Sequence, residues 1–141
     1  ILITGAGGAF GTVLRATGIG NVIGHTMAQW HLGIFLPFII AAVLKTAQGS
    51  STVAIITTAA LVSPLLNPMG LSAPLARVLV VLAIGAGAMT ISHVNDSYFW
   101  VVAQFSDMDT GMALRCHSMA TLWQGVVGIL TIVVLKAILI R

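Results

Sequence analysis

The chain has 141 residues, 58% of them hydrophobic and 6% charged, with three acidic residues (Asp96, Asp107, Asp109), no Glu, and a net charge of +3 from six scattered Lys and Arg. A water-soluble domain carries about 25% charged residues, so this one lacks the polar side chains to cover a water-facing surface, and its exterior must meet lipid or other protein. Nothing clusters into a basic stripe, which excludes a nucleic-acid partner, and Cys116, the lone cysteine, excludes an intrachain disulfide.

The chain starts Ile1-Leu2-Ile3, without Met or a charged signal-peptide region, and reads as part of a longer protein that begins inside a membrane segment. Residues 1–14 form a short apolar stretch carrying Gly5, Gly7, Gly8 and Gly11. Gly7 and Gly11 stand four apart, as do Gly20 and Gly24, a spacing that suits close helix packing. The sharper reading of the first four glycines is a flexible hairpin tip. They are no nucleotide loop, since no strand precedes them and no Lys follows. His25 and His31 flank Trp30 and read as interfacial residues.

From 32 to 66 the chain is mostly apolar, too long for one ordinary span, and Lys45-Thr46-Ala47-Gln48-Gly49-Ser50-Ser51-Thr52 interrupts its centre. Each flank is short for a hydrocarbon core of about 30 Å. A re-entrant hairpin with the polar stretch at its tip fits, and so does a discontinuous helix with an unwound centre; an ordinary loop between two short helices is the plainer alternative. Pro64, Pro68 and Pro74 punctuate the following connection. Residues 75–92 read as a helix with Gly85-Ala86-Gly87-Ala88 near its end, followed by His93-Val94-Asn95-Asp96-Ser97 and then by apolar Tyr98-Phe99-Trp100-Val101-Val102. Residues 106–111 are the most polar loop, and 122–140 are the cleanest span, with Trp123 at one interface and Lys136 near enough to the other end to snorkel. The predicted fold is an all-α integral membrane bundle, polytopic, with re-entrant or discontinuous helices.

Two interruptions carry the chemistry. In Gln48, Gly49, Ser50, Ser51 and Thr52, small residues expose backbone N–H groups and three hydroxyls, Gly49 lets the chain turn, and the following helix points the positive end of its dipole at the same place. An anionic substrate group suits that surrounding. In the second interruption, Asp96 is the one carboxylate between strongly apolar flanks, where a charge at the bilayer centre costs at least about 2.5–3.5 kcal/mol. It is the candidate proton carrier. His93, three residues earlier, is expected on the same helical face, and an imidazole is a side chain suited to proton exchange; Asn95 and Ser97 are candidate substrate contacts. A water-exposed loop between two helices is the bland alternative. No metal site is expected: His117 lies beside Cys116 without further ligands. Arg15, Arg77 and Arg115 mark membrane boundaries without favouring an orientation.

Three motifs stand in order: Gly5-Ala6-Gly7-Gly8-Ala9-Phe10-Gly11, Ala47-Gln48-Gly49-Ser50-Ser51-Thr52-Val53-Ala54, and Ser92-His93-Val94-Asn95-Asp96-Ser97-Tyr98-Phe99-Trp100. Over nearly its whole length the chain resembles the C-terminal part of the gluconate permeases, proton symporters of the ion-transporter superfamily. Tyr98 stands where that family is expected to carry Gly, and Ser51 where Ala is common; both bear on substrate choice. The resemblance implies that 1–141 is the C-terminal transmembrane portion of an inverted-repeat secondary transporter about three times as long. The missing N-terminal half would complete the site. It implies a multi-pass protein of the inner (cytoplasmic) membrane that imports gluconate or a related small hydroxylated carboxylate with protons, without cofactor and not as an enzyme; a homo-oligomer is compatible with it. The rival from another class is an intramembrane serine hydrolase using Ser50, His93 and Asp96 as a triad. Against it, the chain has no Gly-x-Ser-x-Gly elbow.

Overall fold

A computed structural model describes residues 32–139 and, near the start of the chain, positions 5, 9, 12, 13 and 16–18. Gly7, Gly8 and Gly11, like Arg15, Gly20, Gly24, His25, Trp30 and His31, lie outside the described residues; Gly5 is helical and exposed. All regular structure among the described residues is helical.

Helix α1 spans Phe35–Gln48. Pro37 sits in its first turn, where a missing N–H costs nothing because that turn has no carbonyl to offer it. The helix stops at Gly49, whose φ of 70° is left-handed and whose N–H donates to the Lys45 carbonyl at 2.8 Å. Ser50 is extended, and its hydroxyl accepts from Val53 N–H, starting α2 at Ser51–Val62. A short 3-10 turn, Ser63–Leu65, and the Pro68 and Gly70 connection lead to α3, Pro74–Ala88, with Pro at its first position. Residues 89–96 are not helical. Helix α4, Ser97–Phe105, is capped by the Asp96 carboxylate, which accepts from Tyr98 N–H at 3.0 Å. Helix α5, Thr110–Leu139, runs 30 residues, or roughly 45 Å. It begins twelve residues before the span expected at 122, because Asp109 accepts from Met112 N–H and starts the helix there.

The packing follows from small residues. Gly87 on α3 lies against the Phe38 carbonyl and Ala41 of α1, so these helices approach at backbone distance. Helix α2 turns back along the pair, and Ala41, Ala54, Val62, Leu71, Ala76, Val80, Ile84 and Ala88 form one core. A second core joins Ile34, Leu79, Ala83, Ile129 and Ile132, tying α5 to α1 and α3. Down α5 the contacts shift steadily: Ile129 and Ile132 meet Leu79 and Ala83, Gly128 meets Ala86, Gly125 meets Thr90, Thr121 meets Ser92, and His117 meets Phe99. Thus α3, residues 89–96 and α4 lie end to end along α5. The opposite face of α5 exposes Trp123, Val127, Leu130, Val134 and Ile138, each more than half accessible. An apolar stripe of this kind suits lipid or another protein segment, as composition required.

Candidate functional site

The two polar interruptions meet. The turn between α1 and α2 sits on residues 93–96, so closely that a Cβ added at Gly49 would overlap the Asn95 carbonyl oxygen. The last carbonyls of any helix lack partners within it. Here the second interruption supplies them: Asn95 Nδ2 donates to the Thr46 carbonyl at 2.8 Å and to that of Ala47 at 3.4 Å, and His93 Nε2 donates to the Thr46 carbonyl at 3.1 Å. A carbonyl only accepts, so His93 carries a proton on Nε2.

At the centre stands an ion pair absent from the sequence reading. Lys45, in the last turn of α1, places Nζ 2.5 Å from Asp96 Oδ2. The two residues are only 2% and 6% exposed, which makes this a buried pair rather than a surface one. Each charge has further partners. Lys45 Nζ lies 3.4 Å from the Gly49 carbonyl, Ser92 Oγ donates to Asp96 Oδ2 at 2.5 Å, and Tyr98 N–H donates to Oδ1. Desolvated charges are tolerable when paired and hydrogen-bonded in this way. The ammonium also stands at the C-terminal, negative end of the α1 dipole.

Helix α5 holds the second interruption in place. Ser118 Oγ donates to the Ser92 carbonyl at 2.5 Å, and Ser92 N–H donates to Thr121 Oγ1 at 3.0 Å. Ser118, Thr121 and Gly125 share a helical face, and Gly125 leaves room for Thr90. Ile91, β-branched, sits at a φ of 42°, a conformation that costs about 1–3 kcal/mol and persists only where the surroundings enforce it.

Measured against expectation, Gly49, Ser50, His93, Asn95 and Asp96 come together. Gln48, Thr52 and Ser97 are exposed at the rim, and Ser51 is half-buried as the first residue of α2. The expected shared helical face of His93 and Asp96 is corrected: Asp96 caps α4 with extended backbone, so His93 precedes the helix, and its ring turns to α1 instead. The triad geometry is absent too. The Ser50 hydroxyl caps α2, His93 bonds Thr46, and Asp96 is taken up by Lys45 and Ser92, so no Ser–His–Asp relay connects them. Sequence reasoning missed Lys45, Ser92 as a ligand of Asp96, and the Ser118/Thr121 support. A lone lysine in the middle of an apolar stretch, like the hydroxyls at helical spacing on α5, was the available signal.

The family model for GntP family permeases matches residues 1–138. Over 140 residues the chain is 39% identical to a gluconate permease from Pseudomonas aeruginosa, covering 99% of this chain and 30% of that protein. It is 41% identical over 132 residues to the inner membrane permease YgbN of Escherichia coli (strain K12), covering 92% and 28%. It is 36% identical over 140 residues to the Gnt-II system L-idonate transporter of the same organism, covering 99% and 31%. The chain therefore spans under a third of the length of these curated relatives. No solved structure matches it. The match across the chain, together with the apolar exterior and the two joined interruptions, assigns it: the chain belongs to the GntP permease family of membrane proteins.

Proposed function

We propose that the chain forms part of a secondary transporter of the inner membrane that imports gluconate or a related small hydroxylated carboxylate together with protons. The observation that carries this is the buried, hydrogen-bonded Lys45–Asp96 pair where two helix interruptions meet. Ionisable groups in such a place are costly and are typically found on substrate or proton paths. In this reading α1 and α2 form a re-entrant hairpin with Gly49 at its tip, and α3 and α4 are the halves of one discontinuous span. Irregular backbone at membrane depth is stable when protein covers it, and here Gly49 at the tip lies directly against the Asn95 backbone. The remainder of the protein would contribute the other half of an inverted repeat.

Asp96 is the proton carrier, with His93 and Asn95 holding the tip against it. The substrate is received beside Gly49, Ser50, Ser51 and Thr52, where α2 offers N–H groups and hydroxyls to an anion. The relatives named for gluconate and L-idonate support this substrate class. The test is radiolabelled gluconate uptake by the full-length protein in proteoliposomes, with and without an imposed pH gradient. Asp96→Asn is expected to abolish uphill accumulation and to spare substrate exchange, while Asp107→Asn, in the loop before α5, changes neither. Normal accumulation by Asp96→Asn would place the proton carrier elsewhere. A serine-reactive probe should leave the protein unlabelled.

A further inference from the structure

We infer that Lys45 is the residue that binds the substrate carboxylate, and that it does so by exchanging Asp96 for the substrate. This inference rests on the proposed transport of a sugar acid. The starting point is that the Lys45 ammonium is buried with one carboxylate and one carbonyl as partners. An ammonium in that position is stable only while a negative charge faces it. If Asp96 takes a proton, that charge is removed, and the cation needs a replacement. The monoanionic carboxylate of the substrate supplies it.

The charge balance supports the exchange. Before loading, the site holds Lys45 as a cation and Asp96 as an anion, with zero net charge. A proton from the water adds to a carboxylate oxygen of Asp96, the ion pair separates, and the ammonium donates to the substrate carboxylate. The loaded site contains a cation, a neutral acid and a substrate anion, again with zero net charge. Neither the empty nor the fully loaded state leaves an uncompensated charge at membrane depth, where its cost would be several kcal/mol. Adding the substrate without the proton, or the proton without the substrate, leaves one. Coupling of one proton to one carboxylate then follows from the pair itself.

The geometry fits this exchange. Neutral Asp96 keeps its place because the Tyr98 N–H and the Ser92 hydroxyl remain on it. Lys45 is anchored on α1, and the hydrogen bonds that Asn95 and His93 make to Thr46 keep the tip over it. Gln48, Thr52 and Ser97, exposed next to these residues in the chain, would receive the substrate hydroxyls. Among the described residues, the other titratable groups on the elements around the pair are His93, whose ring bonds the Thr46 carbonyl, Tyr98, which reaches Asp96 through its backbone N–H, and His117 of α5, against the Tyr98 and Phe99 rings. None of these is hydrogen-bonded to the carboxylate through its side chain.

The test is gluconate binding to the purified full-length protein, read as the shift in thermal unfolding and by radiolabel, from about pH 5.5 to about pH 8, where the substrate stays an anion. In the natural protein, affinity should rise as pH falls, by up to about tenfold per pH unit, because one proton enters with each substrate. Asp96→Asn should bind with affinity independent of pH, because no carboxylate competes with the substrate for its lysine, and gluconate should stabilise it more than the natural protein. Lys45→Met should lose binding. The deciding variant is Lys45→Met with Asp96→Asn, which replaces the pair by neutral groups of similar size and leaves no unpaired charge; its unfolding transition without ligand is the control for folding. It should show no gluconate-dependent shift. If that double variant binds gluconate within about threefold of the natural protein, the pair is only a structural staple and the inference is overturned. A pH dependence that survives in Asp96→Asn overturns it as well, by placing the titrating group elsewhere. A natural protein that gluconate and L-idonate neither stabilise nor label instead overturns the reading of function on which the inference stands.

Discussion

Replacing Gly49 by Ala should disable the site, and the structure separates two contributions to the loss. Gly49 has a φ of 70°, and Gly70, in the connection after α2, has a φ of 67°. An L-residue in this conformation costs about 1–2 kcal/mol, so both glycines share that penalty. They differ in their surroundings. A Cβ at Gly70 meets nothing within 4 Å, whereas one at Gly49 would lie 2.6 Å from the Asn95 carbonyl carbon and 2.9 Å from its Cγ. Relief to ordinary van der Waals contact needs a displacement of roughly 1 Å between the tip and residues 93–96. That displacement stretches the 2.8 Å bond from Asn95 to Thr46 and the 3.1 Å bond from His93 past useful length. At roughly 1 kcal/mol for each lost bond, Gly49→Ala should cost about 3–4 kcal/mol against 1–2 for Gly70→Ala. The assay is unfolding of the full-length protein in detergent, beside gluconate uptake in proteoliposomes. Gly70→Ala should transport, and Gly49→Ala should not. Equal losses of stability in the two variants would refute the close approach of tip and second interruption.

Other substitutions test the supports of the site. Gly87→Ala should be destabilising by about 1–3 kcal/mol, because its Cβ would strike the Phe38 carbonyl and Ala41, while Gly85→Ala, two residues away in open space, should raise stability by up to about 1 kcal/mol through helix propensity; detergent unfolding measures both. Thr121→Val leaves the Ser92 N–H without its acceptor and should cost about 1–3 kcal/mol, with a parallel fall in gluconate affinity if α5 positions residues 92–96. Thr57→Val should be neutral or stabilising in the same assay, since the buried Thr57 hydroxyl has no hydrogen-bond partner to lose.

Much of the local structure was legible in the sequence. Gly49 followed by Ser50 is a helix stop and a helix start in adjacent residues, and both signals act within a few residues of chain. Pro74 likewise marks the first turn of α3, whereas Asp96 was expected to share a helical face with His93 and instead caps α4. The boundary of α5 was less legible, because hydropathy falls around Arg115 and His117 while helical hydrogen bonding continues to Asp109. Apolar periodicity reports burial in lipid or protein, and a helix that leaves the apolar layer keeps its backbone bonds without that signal.

By itself, the sequence determined that the chain needs an apolar surrounding and that its helices are interrupted at two polar places. Composition and short-range backbone preferences decide those features without reference to the rest of the fold. Only the tertiary structure decided that the two places are one. Lys45 and Asp96 are 51 positions apart, and nothing local to either names the other. Their meeting depends on Gly87 letting α1 lie against α3, and on Ser118, Thr121 and Gly125 holding residues 90–92 against α5. A charge in an apolar segment announces that it needs a partner; which partner it finds is set by how the helices pack.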